Sequence, residues 1–173
     1  MKGLIPPTLL AAFATLIPLS VMALDASDRK FAADAAIAGM AEIELANLAQ
    51  KKAKTESVRQ FAEHLLTDHQ QANEKLKALA SQKNIALPKD LDAKHKVERD
   101  KLAALDGPEF EKAYIEAMIK DHRKAVNDFQ TAAKRTQDED LKTFASETEP
   151  KLREHLEHAQ KLQSQFSSNA RRS

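Results

Sequence analysis

Apolar residues recur along this chain at steps of three and four, and each run is interrupted at one level by a polar side chain. Phe31, Ala35, Ala38, Leu45 and Ala49 set a first stripe with Glu42 inside it, and Val58, Phe61, Leu65, Ala72, Leu76 and Ala80 set a second around His69. A third stripe of Phe110, Tyr114, Met118, Ala125, Phe129 and Ala132 surrounds Asp121 and His122. The fourth runs through Leu141, Phe144, Thr148, Leu152, Ala159, Leu162 and Phe166, with His155 in it. This spacing gathers the apolar side chains on one face of an α-helix. It predicts four amphipathic helices, each turning a polar group toward a shared core.

Punctuation between the stripes sets the topology. Ser57 and Gln60 stand in capping-box spacing after a break at Thr55, and Asp138 marks a cap before the fourth stripe. Leu87-Pro88 and Asp106-Gly107-Pro108 are stop signals, and Leu91 to Leu105 between them predicts a short charged helix. A connection of that length suits a crossover running the length of a bundle. Pro150 falls inside the fourth pattern and should kink it near Glu147. The expected fold is all-α, an antiparallel four-helix bundle with a long crossover containing a short helix.

Two internal similarities bear on that arrangement. Phe31 precedes Glu42 by the same interval as Phe110 precedes Asp121, and Val58-Arg59-Gln60-Phe61-Ala62 resembles Leu141-Lys142-Thr143-Phe144-Ala145, as a duplicated hairpin would leave. That alignment sets Glu42 level with Asp121. Residues 61–80 also align with 114–133, pairing His69 with His122. Both cannot be duplication.

Composition narrows the chemistry. With 3 glycines and 5% aromatic residues among many Ala, Leu, Lys, Glu and Gln, no strand pattern competes with helix. Basic and acidic side chains balance at 27 to 26, so there is no excess to recruit nucleic acid. There is no cysteine, which leaves His, Asp and Glu as the metal ligands. Residues 1–23 read as a secretory signal peptide with cleavage after Ala23, or Ala26 as second choice; the alternative is an uncleaved anchor. Cleavage would leave a bundle over 24–168, a disordered tail over 169–173, a periplasmic or cell-envelope location and no membrane attachment.

Burying Glu42, Asp121 and three histidines without partners costs several kcal/mol, because each polar group loses its water. One transition metal ion, iron, zinc or copper, held by Glu42, His69, Asp121, His122 and His155 would compensate. A metal-free core network, in which the imidazoles hydrogen-bond to Glu42, Asp121 and Tyr114, would compensate as well. Asp68 is placed to orient a neighbouring imidazole. His64, His95 and His158 read as solvated surface, with His158 the first to reconsider. No serine triad, phosphate loop or base-stacking pattern stands out.

Gly39-Met40-Ala41-Glu42-Ile43, Phe61-Ala62 through Asp68-His69, Gly107-Pro108-Glu109-Phe110 through Asp121-His122, and Glu149-Pro150-Lys151-Leu152 through His155-Leu156 carry a resemblance. Over roughly residues 27–163 the chain resembles the ferritin-like exported family catalogued as domain-of-unknown-function family 4142. The resemblance implies a ferritin-like bundle in the bacterial envelope, with no established activity. Ferritin-like di-iron proteins present Glu-x-x-His on two helices. Here Leu66, Ile119 and Leu152 stand three residues before the histidines, so di-iron chemistry does not carry over. Two functions are expected from this reading: handling of one metal ion or redox and stress protection, or a metal-free interaction or structural role in the envelope.

Overall fold

The computed structural model describes residues 24–170, so the signal peptide expected over 1–23 lies outside the described residues. Five helices follow one another: α1 Ala26–Lys52, α2 Glu56–Gln82, α3 Ala93–Ala103, α4 Gly107–Arg135 and α5 Glu139–Ala170. Four are long, and α3 lies in the connection between α2 and α4, where the charged segment predicts it. α5 stays helical through Pro150 and reaches Ala170, two residues into the segment expected to be a tail.

Local chemistry sets the boundaries of the middle helices. Asn84 adopts a left-handed φ of 55° and the Ile85 amide donates to the Ala80 carbonyl at 2.8 Å, closing α2. Gly107 takes φ 56° ahead of Pro108, a backbone conformation that side chains with a Cβ rarely adopt, and α4 starts there. Asp92 caps α3 through the His95 amide.

Two apolar clusters fill the bundle, and a polar layer separates them. One holds Leu45, Phe61, Leu65, Phe110, Tyr114, Met118 and Leu162 among others. The other holds Ala32, Leu76, Phe129, Leu141, Phe144 and Leu152. α1 and α5 run from the second cluster into the first, while α2 and α4 run the other way. α1 packs on α2, α4 on α5, α2 on α5 and α1 on α4, so every neighbouring pair of long helices is antiparallel. Since α2 and α4 point the same way, the chain between them must travel back along the bundle, and α3 does so against α1 and α4. Each long helix passes the level between the clusters once, at Glu42, His69, His122 and His155.

Both ends are tied by buried carboxylates reaching across. Asp28, in the first turn of α1, accepts from the backbone amides of Gln137 and Asp138 in the α4–α5 turn, each at 3.2 Å. Glu111, near the start of α4, accepts from the amides of Lys54 and Thr55 at 2.7 and 2.6 Å and from the Thr55 hydroxyl at 2.6 Å. Each hairpin's turn is thus clasped by the leading helix of the other.

Candidate metal centre

His69 on α2, His122 on α4 and His155 on α5 project into the polar layer, and one nitrogen from each lies within 4.8 Å of the others. Their ring centroids form a nearly equilateral triangle with sides of 5.6, 5.4 and 5.3 Å. Nε2 of His69 faces Nε2 of His122 at 3.4 Å, beyond a good N–H···N hydrogen bond. Two nitrogens bound about 2.0–2.1 Å from one tetrahedral ion stand about 3.3 Å apart. The pair already has the spacing of a shared coordination edge.

The neighbours of two of the rings determine which nitrogen keeps its lone pair. Nδ1–H of His122 donates to the Met118 carbonyl, one turn earlier on the same helix, at 2.9 Å, so the proton sits on Nδ1 and Nε2 keeps its lone pair. Nε2–H of His155 donates to Asp68 Oδ2 at 2.9 Å. That leaves Nδ1 of His155 as the lone-pair nitrogen, buried and without a hydrogen-bond partner in the protein. A carboxylate holding the far side of an imidazole fixes both its tautomer and its orientation. Asp68 is therefore the residue that positions His155, the orienting role its sequence context suggested.

The other expected ligands stand apart from the triangle. Glu42 is buried beside His122, with Oε1 3.8 Å from Nδ1 and Oε2 unpartnered. Asp121 lies at the edge of the layer, 3.3 Å from Lys120, where it lines both a cavity of about 60 Å³ shared with Glu42, His69 and His122 and the surface groove between α1 and α4. The Tyr114 hydroxyl is buried without a partner. The hydrogen bonds that a metal-free network would need from Glu42, Asp121 and Tyr114 to the imidazoles are not formed.

Burial decides the charge state of the layer. It pushes the His69 and His155 imidazoles below their ordinary value and His122 down to about 3, and each is lowered further by neighbouring histidines. Burial pushes the Glu42 carboxyl well up, with Asp121 and Glu98 adding to it. Near neutral pH the three imidazoles are neutral, and burial biases the adjoining Glu42 carboxyl toward its protonated form. Below about pH 6.5 the unfolded chain binds protons that the folded imidazoles refuse, His122 down to about 3, so stability rises with pH across that window. Glu42 works in the opposite sense, losing stability as pH rises above its ordinary value, but one carboxyl opposes three imidazoles. Between about pH 6.5 and pH 4.5 the ion-free protein should lose about 5 °C or more of its thermal midpoint. Calorimetry across that range checks this, and His122→Asn, with no proton to gain, should flatten the slope.

A family model described as "Domain of unknown function (DUF4142)" matches residues 18–162. No curated protein matches the chain by sequence. Among solved structures, a DUF305 fragment from Deinococcus radiodurans superposes with a TM-score of 0.74 at 13% identity, covering 82% of this chain and 98% of its own. A DUF305 protein from Streptomyces coelicolor gives 0.70 at 18% identity, covering 80% and 91%. CopM in its Cu(I)-bound form gives 0.68 at 15% identity, covering 80% and 96%. At these identities the likeness is one of fold.

Proposed function

This chain belongs to the DUF4142 family, a domain family without an assigned function, and we propose that it binds one transition metal ion inside the bundle through His69, His122 and His155. Glu42 adjoins the site and Asp68 holds His155 in register. The carrying observation is that three buried imidazoles from three helices converge, with the His122 and His155 protons held by the Met118 carbonyl and Asp68 so that one nitrogen of each keeps a free lone pair.

Imidazole donors suit copper, zinc, iron and nickel, and among the divalent ions copper binds such sites most strongly. CopM, similar in fold, is known in Cu(I)-bound and Cu(II)-bound forms, which makes copper the first ion to test. With no cysteine in the chain, the site offers imidazole and carboxylate donors and no thiolate. Metal handling in the envelope, after export through the leader-like residues 1–23, is the role this supports. Among the described residues no helix is long and apolar enough to cross a membrane.

Elemental analysis of the mature protein purified from the envelope fraction should find close to one ion per chain, lost in the folded Glu42→Ala/His69→Ala variant. Protein that holds no metal even after reconstitution with Cu(II), Zn(II) and anaerobic Fe(II) would sink the reading and move the function to the outer helix faces.

A further inference from the structure

A second group of ligating side chains borders the buried triangle on the α2–α5 face. Asp68 Oδ2 lies 3.1 Å from His64 Nε2 and 2.9 Å from His155 Nε2, and the three ligand atoms are all within 4.8 Å of one another. His64 and Asp68 are one turn apart on α2, which puts both on one flank, and His155 meets them from α5. The side chain of His64 is 37% exposed and that of Asp68 18%, whereas His155 is buried. The group therefore reaches from solvent to the wall of the triangle, and His155 belongs to both sets.

We propose that His64, Asp68 and His155 form an outer transition-metal position from which an ion is passed, through His155, to the buried triad. This rests on the metal-binding reading of the triad. A neutral imidazole has one lone pair, so His155 serves one position at a time. With its proton on Nδ1, Nε2 completes the outer set with His64 and Asp68. With its proton on Nε2, donated to Asp68, Nδ1 joins His69 and His122. Passage inward exchanges the tautomer of His155, one proton leaving Nδ1 and one arriving at Nε2, and leaves the net proton count unchanged. Asp68 thus changes from ligand to hydrogen-bond acceptor as the ion leaves it. Lys151, with Nζ 3.9 Å from Asp68 and half exposed, opposes a cation there and must swing aside.

The test is Cu(II) loading of the mature protein from a Cu(II)–glycine complex, followed by stopped flow, with retained copper measured after dialysis. His64→Ala should keep the retained ion but load about tenfold or more slowly, the size of effect usual for loss of one metal-supporting group. Lys151→Gln should load faster. His95→Ala, at a residue that lines the cavity beside Glu42, His69 and His122, should load as the parent does. Wild-type loading by His64→Ala, or slowing by His95→Ala instead, would overturn the outer position while leaving the triad intact. The His69→Ala/His122→Ala variant separates the two readings. It should still take up one weakly held Cu(II), detected by electron paramagnetic resonance and removed by adding His64→Ala. No His64-dependent signal in that variant would count against the outer site whatever the triad holds.

Discussion

Replacing His69 and His122 together with leucine is expected to abolish the proposed metal binding and, at the same time, to make the metal-free protein more stable. The two imidazoles give the ion-free core little. Their mutual contact at 3.4 Å is a poor hydrogen bond, and the Met118 carbonyl that accepts from His122 keeps its helical amide partner when the ring is gone. Leucine recovers apolar burial at positions flanked by Leu65, Met118 and Val126 without leaving an orphaned donor. A gain of about 2 kcal/mol would raise the thermal midpoint by about 5 °C. Elemental analysis and calorimetry on one preparation read both effects. A midpoint lower by a similar amount would mean that the imidazoles hold the core together and that their convergence is structural.

The largest loss of stability is expected from Glu111→Ala. Glu111 is buried, its carboxylate takes three hydrogen bonds from the α1–α2 turn, and it sits at the start of α2, where unpaired amides favour a negative charge. Thr55, the residue before that helix, makes no cap of its own because its hydroxyl donates to Glu111. Hydrogen bonds to a charged group contribute about 1.5–3 kcal/mol each and are not additive, so a loss of about 3–4 kcal/mol, or about 10 °C in midpoint, is the expected size. Glu111→Gln, which keeps one acceptor oxygen, should fall between. A Glu111→Ala protein melting within about 2 °C of the parent would show that water replaces the clasp at no cost.

The level of the polar layer could be read from the chain because helical period alone puts Glu42, His69, His122 and His155 on core stripes. Period could not separate Asp121 from His122. Neighbouring residues point about 100° apart, so only one of them can face inward, and packing against α2 and α5 turns the imidazole in and leaves Asp121 at the groove beside Lys120. His64 lies off the α2 stripe, so period alone marks it as solvated, and nothing local says that α5 covers that flank. The signal that could have found it is the one-turn spacing of His64 and Asp68 together with a histidine on another helix. Asp28 and Glu111 were out of reach, since their partners lie on other hairpins, more than fifty residues away.

The two reciprocal clasps make the halves of the molecule complementary pieces. Neither hairpin keeps its turn satisfied alone, because the carboxylate that serves it belongs to the other half. The polar layer is divided in the same way, with Glu42 and His69 on the first hairpin and His122 and His155 on the second. A chain cleaved between α2 and α4 would therefore yield two fragments that recognise one another in trans, and the three-histidine triangle would come into being only on their association. Ion uptake would then act as a reporter of assembly, tying metal content to the quaternary integrity of a nicked protein.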